Sequence, residues 1–272
     1  MLEVVRKQST LAYYERLRYK LRPGIQLDEF SSAFHGSVSL KKMETHVVRA
    51  SLLLWGAAIK RFGEILSSVE RERASRFHFA KERRRFIVCR GLLRLILGTY
   101  LGVDPGGLRF VNGPNGKPGL DMNEHAKGVM FSVSHSEELV LYAIARDVPV
   151  GVDVECVTRP ANLDKIARRF FSSAEYGSYV SLPQEEKLEA FFRCWTRKEA
   201  FLKAIGEGWL YPLDRFDVSI GGSARLLSLD GDPGRAGEWS IHHLGPAEGY
   251  IGALAVRGKE GTVRRFSFDE FR

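Results

Sequence analysis

PVGVDVE, residues 149–155, has the make-up of a buried strand interrupted twice by charge. A β-strand sends successive side chains to opposite faces, so Val150, Val152 and Val154 share one face while Asp153 and Glu155 share the other. Two neighbouring carboxylates on an apolar strand repel each other and resist losing water. Two arrangements would accommodate them. The strand can be half exposed, with valines toward the core and acids toward solvent, as in many antiparallel sheets. Alternatively the acids face a divalent cation, since Mg²⁺ takes one or two carboxylates together with substrate phosphates and keeps several waters. That second arrangement calls for a phosphate-bearing ligand and a third acid.

A third acid is present in FFRCWTRKEAFLKAIG, residues 191–206. Trp195, Glu199 and Leu202 recur there at helical spacing, and Glu199 precedes Lys203 by one turn on the same face. Taken alone, that pair is an ordinary surface ion pair worth roughly 0.3–0.5 kcal/mol. Its setting is less ordinary, because Lys198 and Lys203 bracket an acid in a helix otherwise aromatic and apolar. For the phosphate there is NGPNGKPGL, residues 112–120. It is not a P-loop, since Pro118 stands where a Ser or Thr would hold the metal. A loop of Asn, Gly and Pro can still aim backbone amides and the Lys117 ammonium at an anion; the alternative is a solvated hairpin turn. His135 in FSVSHSEE is either a hydrogen-bonded residue at a strand end or a ligand contact, and the flanking Ser134 and Ser136 suit phosphate oxygens.

Around these segments the chain of 272 residues, 44% hydrophobic and 27% charged, has ordinary globular composition, which excludes a disordered protein. Forty-one Lys and Arg against 33 Asp and Glu give a formal charge of +8, favouring polyanionic partners without choosing among them. Cys89, Cys156 and Cys194 are odd in number and lack metal-ligand spacing, so buried, reduced thiols in a cytoplasmic protein are expected. No apolar run approaches the roughly 18 residues of a membrane span, and MLEVVRKQST has no signal-peptide core. A soluble protein, free of the membrane, follows as an expectation.

Residues 1–45 read as an N-terminal extension, with a basic amphipathic helix in LAYYERLRYKLRPG closed by Pro23-Gly24; Glu3 and Glu15 argue against a transit peptide. HVVRASLLLW reads as a first strand. IKRFGEILSSVERERASRF reads as a helix, a break and a new helix beginning at Ser68 with Glu70 near its positive end. KERRRFIVCRGLLRLILGTYLG is a core helix with arginines on the side opposite Val88, Leu92, Leu95 and Ile96. VMFSVSHS, LVLYAIA and PVGVDVE follow as strands, residues 162–204 as a second helical stretch, and FDVSI, RLLSL, WSIHHL and YIGALAV as further strands. Helix plus sheet thus occurs twice, giving an α+β chain of two similar halves, 46–145 and 146–272, with no residue-level repeat visible.

Taken in order, GKP at 116–118, FSVSHS at 131–136, GVDVE at 151–155 and WTRKEAFLKA at 195–204 resemble the Sfp-type 4'-phosphopantetheinyl transferases. The resemblance runs from about residue 46 to the C-terminus and includes SSVERERASRFHFAKE and GWLYPLDRFDV. It implies a pseudo-twofold pair of α+β halves with coenzyme A and Mg²⁺, or Mn²⁺, in the cleft between them. The implied enzyme is a monomer that moves phosphopantetheine from coenzyme A to a serine of an apo acyl or peptidyl carrier protein, releasing 3',5'-ADP. It implies Asp153, Glu155 and Glu199 as metal-binding acids, with Glu199 also taking the serine proton, directly or through water. Lys203, and with it Lys198, falls at the pyrophosphate; Gly116, Lys117 and Pro118 form the loop at the adenosine end. His135 beside Ser134, with Arg71 and Lys81, is implied at the 3'-phosphate. Two other classes use similar residues. A Mg²⁺-dependent nuclease would place acids on a strand near a helical lysine, but leaves GKP and SHS unexplained. An RNA-binding protein would use the positive charge, but no aromatic recognition motif or zinc knuckle is present, and no nucleic-acid partner is expected.

Overall fold

The computed structural model describes residues 40–268 except 54–57, 114, 122–127, 159–161 and 259–260. The basic helix read from residues 11–24 lies outside them. β1 (Glu44–Ser51), which begins inside the stretch read as an extension, leads into α1 (Ile59–Ile65), α2 (Ser68–Ser75) and α3 (Ala80–Leu101). The small hairpin β2 (Phe110–Asn112) and β3 (Pro118–Leu120) precedes β4 (Val129–Ser136) and β5 (Leu139–Arg146). The order then recurs. β6 (Val150–Cys156) leads into α4 (Leu163–Phe170), α5 (Ser173–Val180) and α6 (Gln184–Ile205). The ribbon β7 (Phe216–Val218) and β8 (Leu226–Leu229) follows, then the single turn α7 (Pro233–Ala236), β9 (Trp239–Leu244) and β10 (Tyr250–Arg257). Strand order is β1-β5-β4 in one sheet and β6-β10-β9 in the other, the same arrangement twice. β11 (Thr262–Ser267) returns to the first sheet and pairs parallel with β1, so the C-terminal segment is shared between the halves.

The helices show a repeat at residue level that the sequence alone hid. Ser67 caps α2 in a capping box with Glu70, and Ser172 caps α5 in a capping box with Glu175. Each of these glutamates reaches into the long helix that follows and takes a buried cation at the same position in it: Arg94 in α3, Lys198 in α6. Both long helices have 22 residues and end on a left-handed glycine, Gly102 and Gly206. Burial opposes the Glu70 carboxylate, but the Ser67 amide, Arg94 and Arg90 hold it below the usual carboxylate range. At Glu175 burial outweighs the single Lys198, and the carboxyl is pushed up. Arg94 therefore departs from the expected solvent-facing stripe of arginines: it is 1% exposed.

The layers run helix, sheet, sheet, helix. Val140, Tyr142 and Ile144 of β5 pack with α3, while Leu139, Leu141 and Ala143 pack with Val150, Val152 and Val154 of β6. A strand buried on both faces reads as a continuous apolar run, as LVLYAIA does. The opposite face of the second sheet packs on α6 through Ala253, Ala255, Ala200 and Phe201. All three cysteines are free; Cys194 is buried, whereas Cys89 and Cys156 are only half-buried. Among the described residues no helix is long and apolar enough to cross a membrane.

Candidate active site

Gly151 sets the position of α6 over β6. A side chain there would collide with the backbone of Ala200 and Ala204, so the helix sits directly on the strand face that carries Asp153 and Glu155. Trp195, Glu199 and Lys203, each one turn apart, then lie above those acids. The half-exposed strand is ruled out at Asp153, which is 2% exposed. Lys203 Nζ lies 2.7 Å from Asp153 Oδ1, and Ser134 Oγ donates to the same oxygen at 2.8 Å. Ser136 Oγ donates to Glu155 Oε2 at 2.8 Å, and the Trp195 side chain also hydrogen-bonds Glu155. Asp153 Oδ2 and Glu199 Oε1 are buried without a hydrogen-bond partner.

Three acids share this face with one compensating ammonium, and their protonation reflects it. Burial, then Asp153 and Glu155, pushes the Glu199 carboxyl up to about 7, against the pull of Lys203. Burial and Asp153 also raise Glu155, although Ser136, Lys203 and Trp195 oppose the shift. Among the described residues no three His, Cys, Asp or Glu side chains form a ready-made metal cage.

Beside these acids lies a cavity of about 270 Å³. Its walls come from both halves: residues 115–118 of the β2–β3 turn and Phe131–Val133 of β4 from the first, Glu199, Leu202 and Lys203 of α6 with Gly206 and Gly208 from the second. The loop is tied across, Asn115 Nδ2 donating to the Gly206 carbonyl at 3.3 Å. Gly116 turns with φ +80°, a conformation that favours glycine. Lys117 also spans the halves, donating to the carbonyls of Val150 (3.1 Å) and Ala204 (3.4 Å). Burial lowers its ammonium to about 8. The GKP loop thus lines the cavity, but its ammonium is taken up by backbone carbonyls.

Lys198 requires correction. It is 2% exposed and bound to both Glu175 oxygens and to the Phe216 carbonyl, on the helix side away from the cavity, so it is not brought to a ligand. Ser134, read as a phosphate contact, is buried and engaged by Asp153 and Lys203. His135 projects from the other face of β4 and is exposed; partial desolvation, then Lys203 and Arg85, lowers its imidazole. Arg85 bonds Glu137 at 2.9 Å, and Lys81 lies near enough to Glu137 to act on it electrostatically. The cations Lys81, Arg85 and Lys203 therefore form a basic band around His135, whose imidazole is held toward its neutral form. Arg71 does not line the cavity; its guanidinium donates to the Leu66 carbonyl.

Sequence reasoning read Ser134 and Ser136 as phosphate contacts and missed both Ser132 and the facing of all three toward β6. Ser132, Ser134 and Ser136 alternate along β4 and all face β6, where Ser132 Oγ accepts from the Val152 amide at 3.1 Å and Ser136 Oγ from the Cys156 amide at 3.0 Å. Their period of two was the available signal. Trp195 was read only as part of an apolar helix face.

Residues 149–255 match the family model of the 4'-phosphopantetheinyl transferase superfamily, and residues 55–146 match that of the 4'-phosphopantetheinyl transferase N-terminal region. The chain is 38% identical over 224 residues to the 4'-phosphopantetheinyl transferase HetI of Nostoc sp., covering 82% of this chain and 91% of that protein. It is 32% identical over 161 residues to the 4'-phosphopantetheinyl transferase Sfp of Bacillus subtilis, covering 59% and 69%. The mouse L-aminoadipate-semialdehyde dehydrogenase-phosphopantetheinyl transferase is 29% identical over 210 residues, covering 71% and 67%.

Proposed function

The chain belongs to the Sfp-type 4'-phosphopantetheinyl transferase family, and on that premise we propose that its cleft transfers phosphopantetheine from coenzyme A to a serine of an apo acyl or peptidyl carrier protein with the help of Mg²⁺. The observation that carries this reading is the convergence, at one cavity, of the GKP turn from one half and Glu199 and Lys203 from the other, beside buried Asp153. A pyrophosphate in that cavity would meet the Lys203 ammonium on one side, and the basic band of Arg85 and Lys81, with the neutral His135 ring as a hydrogen-bonding group between, would lead toward a second phosphate.

The acids fit a divalent cation. Asp153 Oδ2 and Glu199 Oε1 are buried and lack partners, and Glu199 and Glu155 are both raised by burial and mutual repulsion. An added positive charge would relieve both penalties. Asp153 and Glu199, with Glu155 beside them, would hold it. Mg²⁺ needs only one or two of these carboxylates when substrate phosphates supply the rest, consistent with the lack of a preformed cage. Bound there, it would neutralise charge on the pyrophosphate and on the departing phosphate. In the reaction the serine oxygen forms a bond to the β-phosphorus of coenzyme A while the bond to 3',5'-ADP breaks. Glu199 is the acid we assign to accept the serine proton; its carboxyl, at about 7 without a cation, would fall when one binds beside it.

Ligand protection tests the binding half of this reading. Coenzyme A should raise the melting temperature by mass action, and dephospho-coenzyme A should raise it less because the basic band loses its anion. Equal protection by the two would remove Lys81 and His135 from the 3'-phosphate, and no protection by either would remove coenzyme A from the cleft.

A further inference from the structure

A carboxylate that is 2% exposed is costly to bury without partners close at hand. Asp153 has two, and they meet on one oxygen: Lys203 Nζ and Ser134 Oγ approach Oδ1 at 2.7 and 2.8 Å, and Lys203 Nζ also donates to Ser134 Oγ at 2.8 Å. The hydroxyl has a single proton, so within this triangle it donates to Asp153 and accepts from the ammonium. The two partners differ in freedom. Ser134 is a short side chain buried on β4, fixed wherever that strand is fixed. Lys203 sits on a four-carbon stem, is 31% exposed and lines the cavity. An anion entering the cavity therefore competes with Asp153 for this ammonium, and has nothing to offer Ser134, whose proton is already given.

We infer that Lys203 is a resident counter-cation of Asp153 that a phosphate-bearing ligand draws away, while Ser134 acts as a positioning residue that keeps the carboxylate in place during the exchange. Without the ligand, the ammonium opposes a divalent cation at Asp153. With it, Lys203 neutralises the phosphate and the carboxylate is released to the metal. Cation and anion binding are then coupled through this side chain as well as through any phosphate oxygens the cation would share, and each must strengthen the other equally. The inference rests on the cation site of the transferase reading and adds an order to it: the metal binds weakly until the anion arrives.

Mn²⁺ binding followed by electron paramagnetic resonance tests this without any turnover. Wild type, Lys203→Met, Lys203→Gln and Ser134→Ala are each titrated alone and with coenzyme A. Alone, both Lys203 variants should bind Mn²⁺ more tightly than wild type, by about tenfold or more for removal of a competing charge in contact with the carboxylate. Coenzyme A should tighten Mn²⁺ binding in wild type and do so less in the Lys203 variants. Ser134→Ala keeps the competing ammonium and loses the fixed partner, so its Mn²⁺ affinity should fall with or without coenzyme A. A metal-free Lys203 variant that melts early should be restored by Mn²⁺. Variants that bind Mn²⁺ no better than wild type in the absence of coenzyme A, or that stay unfolded in its presence, overturn the inference while leaving transferase activity of the wild type intact. Failure of wild type to bind Mn²⁺ even with coenzyme A overturns it together with the metal site.

Discussion

At the scale of single residues, the cleft is defined by acids that the fold would rather keep neutral. Glu199 has a carboxyl raised from 4.5 to about 7, so the folded state binds its proton more tightly than the unfolded chain does. The resulting stability is complete below pH 4.5 and is lost as pH rises through about 7, a change of at most ~3 kcal/mol. In chelator, the melting temperature of wild type relative to Glu199→Gln should fall across that window, since glutamine stays neutral; a flat difference would remove the raised carboxyl. Function separates the acids further. Glu199→Gln keeps an oxygen for a cation but cannot take a proton, so transfer should drop by roughly 10²–10⁴ with coenzyme A binding retained, and saturating Mg²⁺ should not rescue it. Asp153→Ala should be partly rescued by Mg²⁺, and full metal rescue of Glu199→Gln would reduce Glu199 to a ligand. Asp153, Glu155, Glu199 and Lys203 were legible because charge is costly in apolar segments. Lys198 satisfied the same criterion and was misread, although helical spacing turns it about 100° away from the face of Trp195, Glu199 and Lys203.

At the scale of elements, Lys198 belongs to the structural device that orients each long helix. Its Nζ lies 2.7 Å from Glu175, which also accepts from the Val218 amide and closes the cap of α5. Lys198→Met should cost about 3–5 kcal/mol by leaving a buried carboxylate unpaired, read as a shift in the urea midpoint. Coenzyme A affinity of the folded protein should be unchanged, and weaker coenzyme A binding in an undestabilised variant would return Lys198 to the ligand. The matching pair Arg94 and Glu70 in the first half explains why the repeat escaped sequence reading. It is carried by SSVE against SSAE and by an Arg in place of a Lys, matches too sparse to stand out until helix ends and ion pairs align them. Strand periodicity worked better: β4, β5 and β6 fall where alternation or apolar runs placed them. TVRRFS gave little warning of β11, because its partner β1 lies at the far end of the described chain and pairing at that distance leaves no local pattern.

At the scale of the molecule, the formal charge of +8 includes exposed basic residues in and just after α2 and in α3, Arg73, Arg76, Lys81, Arg83 and Arg84, on the first half. If the acceptor is an acidic carrier protein, encounter is steered by these charges, and added salt should slow association more than it speeds dissociation. A stopped-flow association rate indifferent to ionic strength would contradict that. The two-half architecture was legible from the order of helix and strand segments; the cleft between the halves came only from the family resemblance, since Asn115 and Lys117 are brought to α6 by tertiary packing. In the proposed reaction this cleft joins coenzyme A, a divalent cation and a carrier serine. The direct measurement is the intact mass of a panel of apo carrier proteins after incubation with the protein and coenzyme A, in Mg²⁺ and in chelator. The predicted result is a gain of one phosphopantetheine on the serine of at least one carrier, in Mg²⁺ alone and abolished by Asp153→Ala at low metal; no mass gain on any carrier, or an equal gain in chelator, would contradict the account.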